Sequence, residues 1–221
     1  YLFRSRHYAH GGAYGGASEN GTCATLHTMA VNGYGTASPD TRLELNFYTG
    51  RVEVDGKYVT LDDGTPLQYM PLAVEQNLTA SKYIETAGAR MKKYEVDRTA
   101  YSDGRMPDND IVLYRYADVL LMKAEAKVRN GESGDEQLNA VRSRAGMPSL
   151  AATLANILDE RLLELVWEGW RRQDMIRFRT YCEPYDIHTP SDADKKRYTI
   201  VFPIPEKARE LNPNLAQNPG Y

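Results

Sequence analysis

The 221-residue chain is 42% hydrophobic and 26% charged, enough apolar material for a packed core and too much for a disordered segment. Its net charge of -3, with acids and bases interleaved, gives no electrostatic footing for nucleic acid. No run comes near the roughly 18 consecutive apolar residues of a membrane-spanning helix.

Residues 1–110 read as irregular. Gly11, Gly12, Gly15, Gly16 and Gly21 crowd one stretch, which favours loops over helix. The alternation in Arg42–Tyr48 (RLELNFY) predicts a half-buried strand, and Arg51–Val54 a second. Asp55-Gly56 is a turn signal closing a hairpin from Val52 to Val59, Asp63-Gly64 is another turn, and Arg90–Val96 reads as a further strand.

After Asp110 the apolar period changes to that of a helix. Asp110 is placed to cap a helix running through Arg129, with Leu113, Ala117, Leu120, Leu121, Ala124 and Val128 on one face. Asn130-Gly131 ends it. Ser133 and Glu136 then spell a capping box, and a second helix carrying Leu138, Val141 and Ala145 stops at Gly146-Met147-Pro148. Two helices joined by a glycine turn make a hairpin of tetratricopeptide type. A third helix is expected over 154–168 with a bend at Gly169, and a fourth over 170–181. Thr189–Asp192 reads as a turn, Tyr198–Phe202 as a strand, and the Pro- and Asn-rich tail as extended.

Few residues invite catalysis. The run from Asp159 to Arg179 holds five acids and five arginines. Glu160, Glu164 and Glu168 recur every four residues on one helix beside Arg161, Arg171, Arg172 and Arg177. That spacing favours ion pairs along and between helices rather than two carboxyls facing each other across a glycosidic bond. Arginine neighbours also lower a carboxyl pKa, the wrong direction for a general acid. His7, His10, Cys23 and His27 are competent zinc ligands, but their order matches no zinc module, so no metal is expected. No nucleophile elbow, phosphate loop or dinucleotide fingerprint occurs, so neither an enzyme nor a cofactor is expected. Cys23 and Cys182 permit one disulfide in an exported protein, and the spacing leaves the pairing open.

Recognition of a polar, ring-shaped ligand needs flat aromatic faces and planar hydrogen-bonding groups on loops. Nine of the sixteen tyrosines fall in the first hundred residues. Candidate ligand-binding residues are Tyr8, His10, Tyr14, Asn32, Tyr34, Arg42 and Tyr48.

Several motifs fall in a telling order: Asp108-Asn109-Asp110, the RYADVLLMKAEA helix, the NAVRSRAG helix end, Glu160-Arg161 with Glu164-Leu165, Glu168-Gly169 with Arg171, Asp174 with Arg177, and the QNPGY terminus. Together they resemble the C-terminal portion of the SusD/RagB family, with Ser38–Arg42 similar to its D-x-R segment. Phe178 stands where members often carry tryptophan.

The resemblance implies a mainly α fold with irregular and short β segments, built on tetratricopeptide-like helical hairpins. It implies a loop-rich variable ligand-binding region over 1–110 and a helical region with an extended tail over 111–221, truncated at its N-terminus. It further implies a non-enzymatic outer-membrane, cell-surface lipoprotein whose anchor is not present in this chain. Such a protein captures oligosaccharide, or in some members peptide, for uptake through a TonB-dependent, SusC-like transporter. The alternatives are a tetratricopeptide adaptor or peptide binder and, third, a glycoside hydrolase.

Overall fold

The computed structural model describes residues 11–14, 22–75, 77–99 and 108–221. The chain divides into two compact units, Tyr1–Gly169 and Trp170–Tyr221.

The first unit is organised by three helices, numbered here with the others in chain order: α3 (Tyr116–Arg129), α4 (Asp135–Arg144) and α5 (Leu154–Leu165). Leu121, Ala124, Leu138, Val141, Ile157 and Leu162 from these helices are buried. The hairpin expected from the apolar period is therefore present, but its start differs. Helix α3 begins six residues after Asp110, behind Arg115 in extended conformation (φ -141, ψ 161), and Leu113 lies outside it and is 69% exposed. The reason is the Arg115 side chain, which is drawn into an ion-pair network with α5 described below.

The α3–α4 turn also departs from the expected capping box. Ser133 Oγ accepts from the Asp135 amide at 3.2 Å, but the residue before α4 is Gly134, which has no side chain to cap with. A Cβ there would lie 2.7 Å from the Ala124 carbonyl oxygen, so α3 and α4 meet where only glycine fits. Gly131, at φ +77, faces open space instead. Gly134→Ala is expected to cost about 2–3 kcal/mol in a urea melt by forcing backbone apart, against about 1 kcal/mol for Gly131→Ala, where only conformational strain is added.

The strands are two residues each and form three antiparallel pairs: β1 (Phe47–Tyr48) with β6 (Arg90–Met91), β2 (Gly50–Arg51) with β5 (Gln68–Tyr69), and β3 (Glu53–Val54) with β4 (Lys57–Tyr58). The β3–β4 hairpin confirms the Asp55-Gly56 turn. Both residues take positive φ, 53° and 75°, as a tight two-residue hairpin requires. The expected strand over 42–48 is instead α2 (Arg42–Asn46) leading into β1. Its buried residues are Arg42 and Asn46, four apart on one helical face, while Leu45 is 64% exposed. The polar residue is inside and the apolar one outside, so alternation misleads here. The strand expected over 90–96 is reduced to β6.

Two apolar clusters anchor these segments. Ala24, Met29, Phe47 and Ala89 pack together with Tyr34, Leu43, Val166 and Trp167 around them. Met29 belongs to α1 (Leu26–Val31), capped by Thr25, whose hydroxyl accepts from the Thr28 amide. Trp167 donates from Nε1 to the Asn46 carbonyl at 3.0 Å, which makes it a core residue rather than a ligand platform. Val52, Val54, Leu67 and Tyr69 form the second cluster, with Tyr14 and Tyr48 against it.

In the second unit, α6 covers only Arg171–Arg177, followed by α7 (Asp192–Lys195) and α8 (Glu206–Leu211). The expected strand over 198–202 is a 3-10 turn, Tyr198–Ile200. Arg197 enters it at φ +62 and Thr199 donates to Asp194, which bends the segment back on α7. The tail is not extended throughout, since EKAREL after Pro205 winds into α8. Both cysteines are free thiols. Among the described residues, no helix is long and apolar enough to cross a membrane.

Candidate functional site

A catalytic reading would rest on the acidic face of α5. Glu160 and Glu164 are 0% and 2% exposed. Arg42 from α2 spans both, donating from Nη1 to Glu160 Oε1 at 2.6 Å and to Glu164 Oε2 at 3.0 Å, while its Nε and Nη2 are held by Asp40 at 2.9 and 2.8 Å. Arg142 of α4 donates to Glu160 Oε2 at 2.7 Å, and Arg144 to Glu164 Oε1 at 2.6 Å. Arg115 bonds Glu164 and, at 2.9 Å, Glu168 Oε2, which also meets Lys93 through its other oxygen. Beneath them Arg161 pairs with Asp118 of α3 at 2.7 Å, both 1% exposed. The arginines that answer Glu160 and Glu164 thus stand at 42, 115, 142 and 144 rather than within the run that follows them in sequence.

Burial pushes the Glu164 pKa up, but Arg115, Arg144 and Arg42 outweigh it and hold the carboxyl below its ordinary range. A general acid needs the opposite shift, and among the described residues both carboxylates are enclosed by their arginine partners. The network joins α2, the approach to α3, α4 and α5. Because the folded-state pKa is depressed, the stability Glu164 contributes is complete above the ordinary carboxyl value near 4.3 and is lost as pH falls through the folded value. Melting temperatures measured from pH 7 down to pH 3 are expected to drop below about pH 4, and Glu164→Gln to flatten that drop.

A second grouping in the same unit involves the tyrosines. Residues 14 and 48, 34 apart in sequence, meet with their hydroxyls 2.9 Å apart. Burial and the bond to Tyr14 push the Tyr48 phenol upward, so the Tyr48 hydroxyl keeps its proton at neutral pH. Each ring carries a cation: the Arg98 guanidinium lies 5.2 Å from the Tyr14 centroid, and the Lys92 ammonium 5.7 Å from that of Tyr48. Arg98 is oriented by a bidentate pair with Asp55 in the β3–β4 turn, at 2.7 and 2.8 Å, and Lys92 donates to the Glu44 carbonyl at 3.0 Å. Arg98 in turn lowers the Asp55 pKa. On the same hairpin Tyr58 is 58% exposed, with Arg51 5.6 Å from its ring. The result is a pair of half-buried phenols flanked by cations, with the exposed Tyr58 ring and Arg51 on the neighbouring short strands.

Of the candidates named from sequence, Tyr14 and Tyr48 are brought together here. Tyr34 is half-buried against the Met29–Phe47 cluster. Asn32 and Arg42 are 1% and 5% exposed; the Asn32 amide donates to the Thr28 carbonyl at 2.7 Å, and Arg42 is committed to three carboxylates. Burial turns both inward. Tyr8 and His10, and with them His7 of the considered zinc set, lie outside the described residues. Among the described residues, no group of three or more metal-competent side chains converges. The sequence did not disclose that Lys92 and Arg98 lie against the two tyrosine rings; only the Asp55-Gly56 turn gave a sign of the hairpin that places Asp55 and Tyr58.

Comparison with known proteins agrees with this architecture. Starch-binding protein SusD of Bacteroides thetaiotaomicron is 30% identical over 139 residues, 60% of this chain and 25% of that protein. Surface glycan-binding protein A from the same organism superposes with a TM-score of 0.58 at 26% identity, over 83% of this chain and 39% of that one. A SusD superfamily protein from Bacteroides vulgatus gives 0.61 at 22% identity, over 99% and 48%, a likeness of fold. The chain spans 25–30% of the length of the curated relatives it matches. The family model described as SusD family matches residues 6–221, nearly the whole chain, and this protein belongs to the SusD family.

Proposed function

We propose that this chain is part of a cell-surface oligosaccharide-binding protein, anchored to the outer membrane by lipid in its full-length form, that hands its ligand to a TonB-dependent, SusC-like transporter. The observation that carries the reading is membership of a family whose matched relatives are named as starch- and glycan-binding proteins. The arginines that hold Glu160 and Glu164 buried support a structural role for the α5 acids rather than a hydrolytic one. Ligand contact falls to the tyrosine-bearing loops: Tyr14, Tyr48 and the cations beside them, with Tyr8, His10 and Tyr34 as further candidates. A neutral glycan suits phenols and cations better than a hydrophobic peptide does.

Calorimetry against a panel of oligosaccharides, including maltoheptaose, with mass spectrometry of the incubated ligand, tests this. The expected result is saturable binding with the ligand recovered intact. Released shorter sugars would overturn the non-enzymatic reading, and binding to peptide alone would favour the adaptor. Tyr14→Phe, which removes one phenol of the pair, is expected to weaken glycan binding by about 3- to 10-fold, the net worth of one hydrogen bond, and to lower the melt by only about 2–4 °C, since the Tyr48 hydroxyl loses its partner.

A further inference from the structure

Arg90, at the start of β6, is 1% exposed, one of the largest side chains that the fold encloses completely. Its Nη1 donates to the Thr22 carbonyl at 3.2 Å, and its guanidinium lies 5.4 Å from the centroid of the Tyr69 ring. Its Nε and Nη2 meet no acceptor among the described residues. These two N–H groups point the same way and form the edge of the guanidinium that grips an anion with two parallel hydrogen bonds. Elsewhere in the chain that edge is used so. Arg42 presents Nε and Nη2 to the two oxygens of Asp40 at 2.9 and 2.8 Å, and Arg115 presents them to the two oxygens of Glu168 at 2.9 Å each. Arg90 is buried more deeply than either, yet among the described residues no carboxylate answers it.

A buried cation that no negative charge answers is strongly destabilising, and the face of a ring offsets only part of that charge. The nearby Cys23 does not supply the rest. Burial pushes the Cys23 thiol up, and Arg90 draws it down by less, so the thiol keeps its proton. We propose that the Nε–Nη2 edge of Arg90 holds a small monovalent inorganic anion, of chloride size, in the interior of the first unit. The enclosure sets the size. A side chain so deeply buried offers no face to a sugar acid or to a further stretch of polypeptide, whereas a single ion enters during local openings of the fold. The place gives the ion a structural consequence. Arg90 stands opposite Tyr48 in the β1–β6 ladder, so the two side chains share one face of the pair. Tyr48 packs on the cluster that contains Tyr69, the ring against which Arg90 lies. An ion held there fastens β6 to the strand that carries Tyr48.

Thermal melts of the full chain at neutral pH, with sodium chloride replacing sodium gluconate at constant ionic strength, test the site. Gluconate carries the same charge and is too large for the interior. Chloride at about tenfold its dissociation constant is expected to raise the melting temperature by about 3–6 °C. Arg90→Met, similar in length and uncharged, is expected to lose that response, and Lys195→Ala, at an exposed residue of the second unit, to keep it. Should Arg90→Met fail to fold, wild-type crystals soaked in sodium bromide read the site directly, and an anomalous peak between Nε and Nη2 of Arg90 is the expected result. A melt indifferent to chloride at fixed ionic strength overturns the proposal. So does an undiminished response in Arg90→Met, a bromide-soaked crystal without that peak, or a carboxylate side chain found on the same edge.

Discussion

Glu164→Ala is expected to lower the unfolding free energy by about 3–5 kcal/mol, the cost of removing one partner from a buried ion network. The side chain is buried and takes hydrogen bonds from Arg42, Arg144 and Arg115 at 3.0, 2.6 and 2.5 Å. Truncation leaves those guanidinium groups without the charge that compensates their burial, and Arg42, itself 5% exposed, has no route to solvent. For a chain of this size about 1 kcal/mol corresponds to about 2–4 °C, so the melting temperature should fall by roughly 6–20 °C. Glu164→Gln keeps the shape and one acceptor oxygen and should fall between. By contrast Arg98→Ala removes a pair whose side chains are 52% and 63% exposed and should leave the melt almost unmoved, because water already screens it. A Glu164→Ala protein that melts within about 2 °C of wild type would show that the network contributes little beyond filling space.

The same comparison shows what a sequence can disclose. The α3–α4 hairpin was legible because its core is apolar: Leu121, Ala124, Leu138 and Val141 repeat with the period of a helix, and Gly131 marks the turn. The structural role of the α5 acids was legible from their spacing of four. Their partners were not, since Arg42 lies 118 and 122 residues from Glu160 and Glu164 and nothing local announces the contact. That long-range pair also explains the largest error in secondary structure. Residues 42–46 alternate like a strand, yet the buried side chains are Arg42 and Asn46, so polar bonding rather than apolar burial decides the conformation. The Tyr14–Tyr48 contact was unreadable for a related reason. Tyrosine serves core and surface alike, and only the folding of β1 beside the 3-10 turn at Gly11–Tyr14 brings the two phenols together.

Arg42→Ala separates the two roles that sequence alone leaves joined at this residue. As a member of the network, Arg42 ties Asp40 and α2 to Glu160 and Glu164, and its loss leaves two carboxylates of α5 sharing Arg142, Arg144 and Arg115. A destabilisation of about 3–5 kcal/mol is expected, similar to that of Glu164→Ala. The two should not add. Once Glu164 is gone, part of what Arg42 contributes is already lost, so the double variant is expected to fall short of the sum by at least about 1 kcal/mol in urea melts. At a temperature where the variant is still folded, its affinity for a bound oligosaccharide should match that of wild type, because the guanidinium never reaches the surface. Additive costs would mean that Arg42 and Glu164 act independently. A loss of affinity in folded Arg42→Ala would instead make the buried arginine part of the recognition surface, and the tyrosine group would then extend inward to α5.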